Sequence, residues 1–307
     1  MTPVYVDEVK EQYQQQRKAH WDAVADKMRR WTGLSGYYHR RLNQVYASLI
    51  PPGSRVLDIG CGDGRLLASL KPALGVGVEV SDGMAALARE RNPQFTYIVS
   101  IEEEFEVEGT FDYILFSDIL NEVWDVQALF DHVKQYCSPR TRIMINTYNR
   151  LWEYGLMATE KLGLAKPMIG RNWLTRQDIY SLLDLAGFVV IKATKEILFP
   201  IGIPLLSPFL NKFLARFWPF DHLALTHFII ARPRPANCQP GSLPSVSVLV
   251  PARNESGNIE SIFQRVPEMG AGTEIIFVEG HSTDDTFDAI TAGVQHHPER
   301  RCVVLKQ

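Results

Sequence analysis

The sequence predicts an α/β protein built on a mostly parallel β-sheet with helices on both faces. From Arg55 onward, short apolar runs alternate with stretches of helical periodicity, which is typical of parallel strands joined by crossover helices. The runs are rich in Val, Ile, Leu and Phe, as expected of strands buried on both faces. Seven of them follow one another: RVLDIG, GVGVEV, FTYIV, FDYILFS, TRIMINTY, FVVIKA and LTHFIIA.

Composition excludes several classes of function. The 307 residues are 46% hydrophobic with a formal net charge of -3, which is typical of an ordinary soluble globular protein and argues against a dedicated nucleic-acid binder. The four cysteines lack the spacing of metal ligands, so no metal is expected. The polar N-terminus and the absence of an uninterrupted apolar stretch of roughly 18 to 20 residues predict a cytoplasmic protein.

Changes in apolar periodicity and proline content along the chain predict four regions. Residues 1–50 carry apolar positions at helical spacing and are expected to form a helical cap that ends at Pro51. The sheet domain spans 51–233, and its last two strands are expected to be antiparallel. A proline-rich linker follows at 234–245. A second α/β unit occupies 246–307.

A glycine-rich turn follows the first strand of the sheet, in the sequence DIGCGDG from Asp58 to Gly64. Glycines at every second position suit a tight turn whose backbone approaches an anionic ligand closely. Arg65 occupies the position of the third glycine in the dinucleotide-binding motif, so the sequence disfavours NAD binding. Glu79, about 20 residues further along, ends the next strand and can accept two hydrogen bonds from a ribose diol.

With these residues, DIGCGDG and VEVSDGMAALAR resemble the first two motifs of class I S-adenosylmethionine-dependent methyltransferases, over roughly Pro51 to Pro233. The resemblance implies a Rossmann-like seven-stranded sheet and S-adenosylmethionine as cofactor. It also implies roles for individual residues: the methionine moiety lies against Gly60, Cys61, Gly62 and Gly64, Asp58 organises the loop, Glu79 holds the ribose, and Val80 and Met84 contact adenine.

The resemblance extends to the loops after the third and fourth strands. Members of the family often have an acidic residue after the third strand for the adenine amino group, but Ser100 and Ile101 stand there, so either Glu102 or backbone groups substitute. After the fourth strand, the resemblance places two residues beside the cofactor and three toward the substrate: Ser117 and Asp118, then Asn121, Glu122 and Trp124.

Methyl transfer is an in-line displacement at a sulfonium-bound carbon, so alignment and exclusion of water matter more than a dedicated base. If the acceptor is a hydroxyl, a histidine or carboxylate beside it would help to remove the proton. The candidates are His39, Glu122 and Tyr148. Polar residues after the fifth strand either contact ligand or cap the chain: Asn146, Asn149 and Trp152.

An apolar, proline-broken insert spans Leu198 to Leu225, with Lys212 and Arg216 in its expected helical part. It reads as a lid, an oligomer contact or a membrane-surface contact, and the short amphipathic stretch NKFLARFW favours the first two. The oligomeric state stays open. N-terminal to the insert, the pattern from Arg171 to Thr175 resembles one found in methyltransferases encoded with glycosyltransferases. Thr175 also predicts a helix N-cap.

Residues from about Pro244 to Gln307 resemble the beginning of family 2 glycosyltransferases, particularly polyprenyl-phosphate sugar synthases. The resemblance implies a GT-A-like unit with nucleotide contacts at Pro251, Ala252, Arg253, Glu255 and Glu279. The family's metal-binding DxD motif lies beyond Gln307, so residues 246–307 alone are expected to transfer no sugar.

The methyl acceptor is expected to be a small molecule. The glycosyltransferase-like unit suggests a glycan, a glycolipid or a polyprenyl-linked intermediate, with contact to a lipid-linked substrate or a membrane surface. Two alternatives remain open. One is a methyltransferase for an unrelated quinone- or polyketide-like metabolite, and the other is a non-catalytic cofactor-binding scaffold for a glycosyltransferase.

Overall fold

The computed structural model describes residues 3–28, 36–153, 173–200, 202–203, 206–214, 217, 220–235 and 243–306. The chain divides into two units, Met1–Arg234 and Pro235–Gln307. Among the described residues, no helix combines the length and apolar character needed to cross a bilayer. Arg171, Asn172 and Arg216, which the sequence singles out, lie outside the described residues.

The first unit is organised around one seven-stranded sheet of order β3-β2-β1-β4-β5-β7-β6. β7 runs antiparallel to both of its neighbours, and the other pairs are parallel, so the predicted antiparallel end of the sheet is confirmed. Because β1 to β5 are parallel, the loops at their carboxyl ends share one edge of the sheet. The strands are β1 (Arg55–Ile59), β2 (Leu74–Glu79), β3 (Thr96–Val99), β4 (Phe111–Ser117), β5 (Cys137–Tyr148), β6 (Phe188–Glu196) and β7 (Thr226–Pro233).

Helices cover both faces of this sheet. Successive β1 side chains point to opposite faces, so Val56 joins one apolar cluster and Leu57 the other. The Leu57 cluster includes α5 and α6, and the Val56 cluster includes α2 and α3. The helices are α1 (Pro3–Met28), α2 (Gly36–Leu49), α3 (Arg65–Ser69), α4 (Asp82–Arg91), α5 (Val126–Val133), α6 (Arg176–Leu185) and α7 (Leu206–Lys212).

Side chains cap the helices that begin near the carboxyl edge. Ser81 accepts a hydrogen bond from the Met84 amide at 3.0 Å and so fixes the start of α4. Thr175 and Asp178 form a reciprocal capping box at α6, which confirms the N-cap predicted for Thr175.

The second unit is a three-stranded parallel sheet of order β10-β9-β8 with two crossover helices. One face of the sheet is buried against those helices, around Phe263 and Phe277. Leu249 and Leu305 are 64% and 50% exposed. The elements are β8 (Val246–Ala252), α8 (Ile259–Arg265), β9 (Thr273–Glu279), α9 (Thr286–His296) and β10 (Arg301–Lys306).

Candidate active site

The glycine loop joins β1 to α3 through three glycines with φ of 71°, 53° and 73°: Gly60, Gly62 and Gly64. A Cβ on Gly60 would lie 2.7 Å from Ile119, and one on Gly64 would lie 2.5 Å from the Tyr97 hydroxyl. A Cβ on Gly62 would have no atom within 4 Å. Gly60 and Gly64 are therefore constrained by packing, whereas Gly62 borders the open space where a ligand would lie.

Glu79 ends β2 and is almost completely buried. Its carboxylate accepts hydrogen bonds from the amides of Gly62 at 2.8 Å and Ser81 at 3.0 Å, so it joins the glycine loop to the start of α4. Burial, and next the charge of Glu102, raises the pKa of Glu79 to about 7. A buried carboxylate that ionises near neutral pH is well suited to accept hydrogen bonds from a ribose diol.

Asp58 and Cys61 lie beneath the same loop. Neither oxygen of the buried Asp58 carboxyl has a hydrogen-bond partner among the described residues, and burial together with the Glu79 charge raises its pKa to about 8. The structure shows no hydrogen bond from Asp58 to the loop within that part of the chain, so its organising role stays a prediction. Burial also raises the pKa of the Cys61 thiol well above its usual value, which makes that thiol unreactive.

A cleft of about 310 Å³ opens between α1 and the residues at the ends of β2 and β3. Its wall includes three residues that the sequence places at the cofactor, Val80, Ser100 and Ile101, and also Val99. The opposite wall belongs to α1 and consists of Glu11, Gln14, Gln15 and Lys18. Met84 is different, because it is 2% exposed and packs against Val24 and Ala25 of α1. The predicted contact of Met84 with adenine therefore stays a prediction.

Glu102 cannot serve the adenine amino group in this structure, because both of its carboxylate oxygens accept hydrogen bonds from Arg17 of α1. Arg17 and Glu102 are 2% and 0% exposed, so the pair is fully buried. Burial alone would lower the pKa of Arg17, but Glu102 raises it above its usual value. The Arg17–Glu102 pair therefore anchors α1 over the loop after β3.

α1 is also anchored to the loop after β2. The Asp22 carboxylate accepts hydrogen bonds from the Ser81 hydroxyl at 2.6 Å and the Gly83 amide at 2.8 Å. This contact places a negative charge at the start of α4, where the helix dipole favours it. Sequence reasoning missed Arg17 and Asp22, although their spacing from Gln14 and Trp21 puts all four on one stretch of helix surface.

Glu122 also contacts α1. Its carboxylate accepts a hydrogen bond from the Trp21 indole at 2.8 Å and lies 3.7 Å from Arg17. Burial raises the pKa of Glu122, while Arg17 opposes the shift. Trp124 packs on Tyr13 of α1, with ring centroids 5.6 Å apart. Both residues are thus held against α1, and the catalytic role of Glu122 and the substrate-facing position of Trp124 stay predictions.

A buried polar chain connects the loop after β4 to α2. The Tyr38 hydroxyl donates to the Asp118 carboxylate at 2.9 Å, and the Asn146 amide donates to the same carboxylate. The Tyr46 hydroxyl in turn donates to Asn146 at 2.7 Å. Asp118 directly follows Ser117, the last residue of β4, and has a φ of 59°, which is strained for a non-glycine residue. Hydrogen bonds to buried partners hold it there.

Tyr38 brings two of the predicted catalytic residues together. Its ring stacks on Tyr148 at a centroid distance of 5.9 Å and meets His39 edge-on at 5.3 Å. Burial, and next the Asp118 charge, raises the pKa of Tyr38 well above its usual value, so its hydroxyl remains a donor. His39 and Tyr148 therefore flank one fixed aromatic ring.

The insert after β6 is tied to these same elements. Buried Asn211 of α7 donates to the Tyr37 hydroxyl at 3.1 Å and exchanges hydrogen bonds with the Phe199 backbone at 2.8 Å. Asn149 donates to two backbone oxygens of the insert at 2.9 Å. Three phenylalanines on the insert's outer side are 54%, 59% and 62% exposed: Phe209, Phe213 and Phe217.

In the second unit, the loop after β8 is closed by side chains that follow β9. Asn254 accepts from the Thr283 amide at 2.9 Å, and the Glu255 amide donates to Thr286 at 2.8 Å. Glu279 is 1% exposed and accepts from the Ser282 amide, and its second oxygen has no hydrogen-bond partner in the described part of the chain. Pro251 and Ala252 end β8 beside Glu279, with Arg253 exposed after them.

Comparison with known proteins identifies the family. A family model described as "Methyltransferase domain" matches residues 30–193, more than half of the chain. Among solved structures, a SAM-dependent methyltransferase from Thermotoga maritima has a TM-score of 0.56 at 18% identity and covers 71% of this chain and 100% of its own. The methyltransferase complexed with the Haloferax volcanii Trm112 activator has a TM-score of 0.53 at 16% identity, covering 70% and 98%.

Two relatives show how far the similarity extends. An uncharacterized protein of Methanocaldococcus jannaschii is 25% identical over 58% of this chain and 84% of its own. The ubiquinone biosynthesis O-methyltransferase of Xanthomonas axonopodis pv. citri is 32% identical, over 36% of this chain and 49% of its own. The chain thus spans about half the length of such O-methyltransferases.

The fold and the site define an α/β methyltransferase, and the chain belongs to the methyltransferase domain family. It is an enzyme that uses S-adenosylmethionine, so the scaffold alternative is set aside. The site fits that cofactor on its own evidence, because Gly62 borders open space, Glu79 is a buried acceptor, and Val80, the residue after Glu79, lines the cleft.

Proposed function

We propose that this methyltransferase acts on a hydroxyl group of a small acceptor that carries an apolar, lipid-like part, with a glycolipid or polyprenyl-linked intermediate as the first candidate. One observation carries the proposal: the exposed phenylalanines of the insert belong to a segment hydrogen-bonded to Tyr37, next to Tyr38 and His39. Soluble proteins rarely expose such an apolar patch unless it binds something. The patch would hold the apolar part while the hydroxyl reaches His39.

Different residues would bind the cofactor, orient the acceptor and remove its proton. The glycine loop, Glu79 and the cleft residues hold S-adenosylmethionine, which supplies an electrophilic methyl group. Tyr38, fixed by Asp118, and Tyr148 form an aromatic wall that orients the acceptor. His39 accepts the hydroxyl proton as the methyl group is transferred. Most of the rate enhancement is expected from alignment, so loss of His39 should slow turnover without abolishing it.

The proposal is tested by following a radiolabelled methyl group into cellular extracts. We expect label in the organic phase, and we expect Phe209→Ser/Phe213→Ser to reduce it while binding of S-adenosylhomocysteine is unchanged. Leu185→Ser is the matched control, because Leu185 is 75% exposed on α6, away from the insert. Label confined to water-soluble products, or equal loss in the control, would contradict the proposal.

A quinone-like acceptor is the second candidate. The 32% identity to a ubiquinone biosynthesis O-methyltransferase, although limited to part of each chain, favours it. Such an acceptor would also have a hydroxyl and an apolar tail, so both candidates use the same patch. Mass spectrometry of the labelled lipid separates them, because a methylated quinol and a methylated sugar give different fragments.

For residues 246–307 the proposal is a family 2 glycosyltransferase-like unit that contacts a nucleotide. The buried Glu279, with one oxygen lacking a partner among the described residues, supports it, as does its position beside Pro251 and Ala252. Glu255 and Arg253 follow in the same loop. Titration of the protein with UDP and GDP tests the proposal. Glu279→Gln should weaken binding, and Glu274→Gln, at the opposite end of β9, should not.

A further inference from the structure

The loop after β3 does not place in the cleft wall the acidic side chain that members of the family often have there. Ile101 stands at that position, and the neighbouring Glu102 gives both carboxylate oxygens to Arg17. Breaking that buried pair would leave a charge without a partner, which is costly, so Glu102 is not free to turn toward a ligand. The loop after β3 therefore contributes Ser100 and Ile101 to the cleft, without a carboxylate.

The opposite wall of the cleft contains a group with matching chemistry. Gln14 of α1 lines the cleft, and its Nε2 is buried without a hydrogen-bond partner among the described residues. A buried donor left unsatisfied costs free energy, which a ligand with an acceptor would recover. A carboxamide presents one acceptor and one donor side by side, the pair that adenine's amino group and adjacent ring nitrogen require.

Gln14 is held in position by the anchors of its own helix. Arg17 lies one turn further along α1 and is buried against Glu102, and Asp22 bonds to Ser81 and Gly83 at the start of α4. The backbone beneath Gln14 is thus fixed relative to the loops after β2 and β3. Only the terminal torsion of the glutamine needs to adjust, and that torsion is soft.

We propose that Gln14 recognises the edge of adenine that carries the amino group, in place of the missing acidic side chain. The inference rests on the cofactor lying in this cleft. It assigns a cofactor-recognising residue to a helix that precedes residues 30–193, the region matched by the family model. Specificity for adenine is therefore supplied from α1 as well as from the sheet.

The test measures binding by calorimetry with two ligands: S-adenosylhomocysteine and its purine-riboside analogue, which lacks the 6-amino group. We expect the parent protein to bind the analogue about three- to tenfold more weakly, the effect of one hydrogen bond. Gln14→Leu loses the hydrogen bonds to both the amino group and the ring nitrogen, so it should bind S-adenosylhomocysteine about ten- to a hundredfold more weakly than the parent. The variant should also bind both ligands equally. Gln16→Leu, an exposed glutamine on the same helix, should behave as the parent.

The outcomes are distinguishable. Equal discrimination between the two ligands by the parent and Gln14→Leu would overturn the role of Gln14 while leaving the cofactor site intact. Indifference of the parent to the 6-amino group would do the same without any variant. Failure of the parent to bind S-adenosylhomocysteine at all would overturn both this inference and the cofactor site. Thermal unfolding of each variant checks that α1 remains folded.

Discussion

The cofactor cleft and the side proposed for the acceptor hold their functional groups by different means. In the cleft, backbone amides and buried charges dominate: Glu79 bonds two amides, and Arg17 joins α1 to Glu102. On the acceptor side, Tyr38 and Tyr148 stack, and neutral hydroxyl and amide groups meet a single carboxylate. The positions of the functional groups in the cleft therefore depend on charged contacts, whereas those on the acceptor side depend on the packing of aromatic rings.

The largest effect is expected from breaking the buried charge pair of the cleft. Arg17→Met leaves Glu102 and Glu122 buried without their cation and should lower the free energy of unfolding of the first unit by about 3–5 kcal/mol. Chemical denaturation measures it. The double variant Arg17→Met/Glu102→Gln should recover much of the loss, because the uncompensated charge is removed. Equal instability of the single and double variants would contradict the charge argument.

A smaller effect is expected on the acceptor side. Tyr38→Phe removes the hydroxyl that donates to Asp118 and keeps the ring. It should lower the free energy of unfolding of the first unit by about 1.5–3 kcal/mol, the worth of a hydrogen bond to a charged group, which chemical denaturation measures. Turnover should fall as well, because Tyr38 is proposed to orient the acceptor, while S-adenosylhomocysteine binding should be unchanged. Tyr136→Phe, which removes a hydroxyl that donates to the Phe105 backbone oxygen at 3.0 Å, is the control for loss of a buried hydroxyl. If Tyr38→Phe weakens cofactor binding instead, the two sides are not separate.

The smallest effect is a pH dependence of the cleft. The pKa of Glu79 is raised from 4.5 to about 7 in the folded protein, so ionised Glu79 destabilises the cofactor-free state. Stability without cofactor should therefore fall as pH rises from about 5 toward 7, and Asp58 acts in the same direction. Cofactor affinity should rise roughly tenfold between about pH 6 and pH 8, because the ionised carboxylate is the better acceptor. Calorimetry with Glu79→Gln should show a weaker dependence.

Features encoded locally could be predicted from the sequence. The glycine turn, the two-residue alternation of β1 and the Thr175 cap each depend on a few adjacent residues, and the structure contains them. Glu79 could also be located, because the end of a strand after a glycine turn is a defined position. The antiparallel β7 followed from the lack of a clear crossover helix before it.

Features that depend on tertiary pairing could not be predicted in this way. Glu122 and Met84 occupy positions that suit a ligand, but α1 covers both, and only the fold shows that. The Arg17–Glu102 pair joins residues 85 apart in the chain. The helical spacing of Gln14, Arg17 and Trp21 was the available signal, but spacing defines a helix face without identifying its partner.

The most direct test of the central claim is calorimetric binding of S-adenosylmethionine and S-adenosylhomocysteine to the parent, Glu79→Ala and Gly62→Val. We expect the parent to bind both ligands. Glu79→Ala removes a buried acceptor, and the side chain introduced by Gly62→Val would fill the open space beside the loop. Binding should then be lost in both variants while they remain folded. A folded parent that binds neither ligand, or variants that bind as the parent does, would contradict the assignment of this cleft.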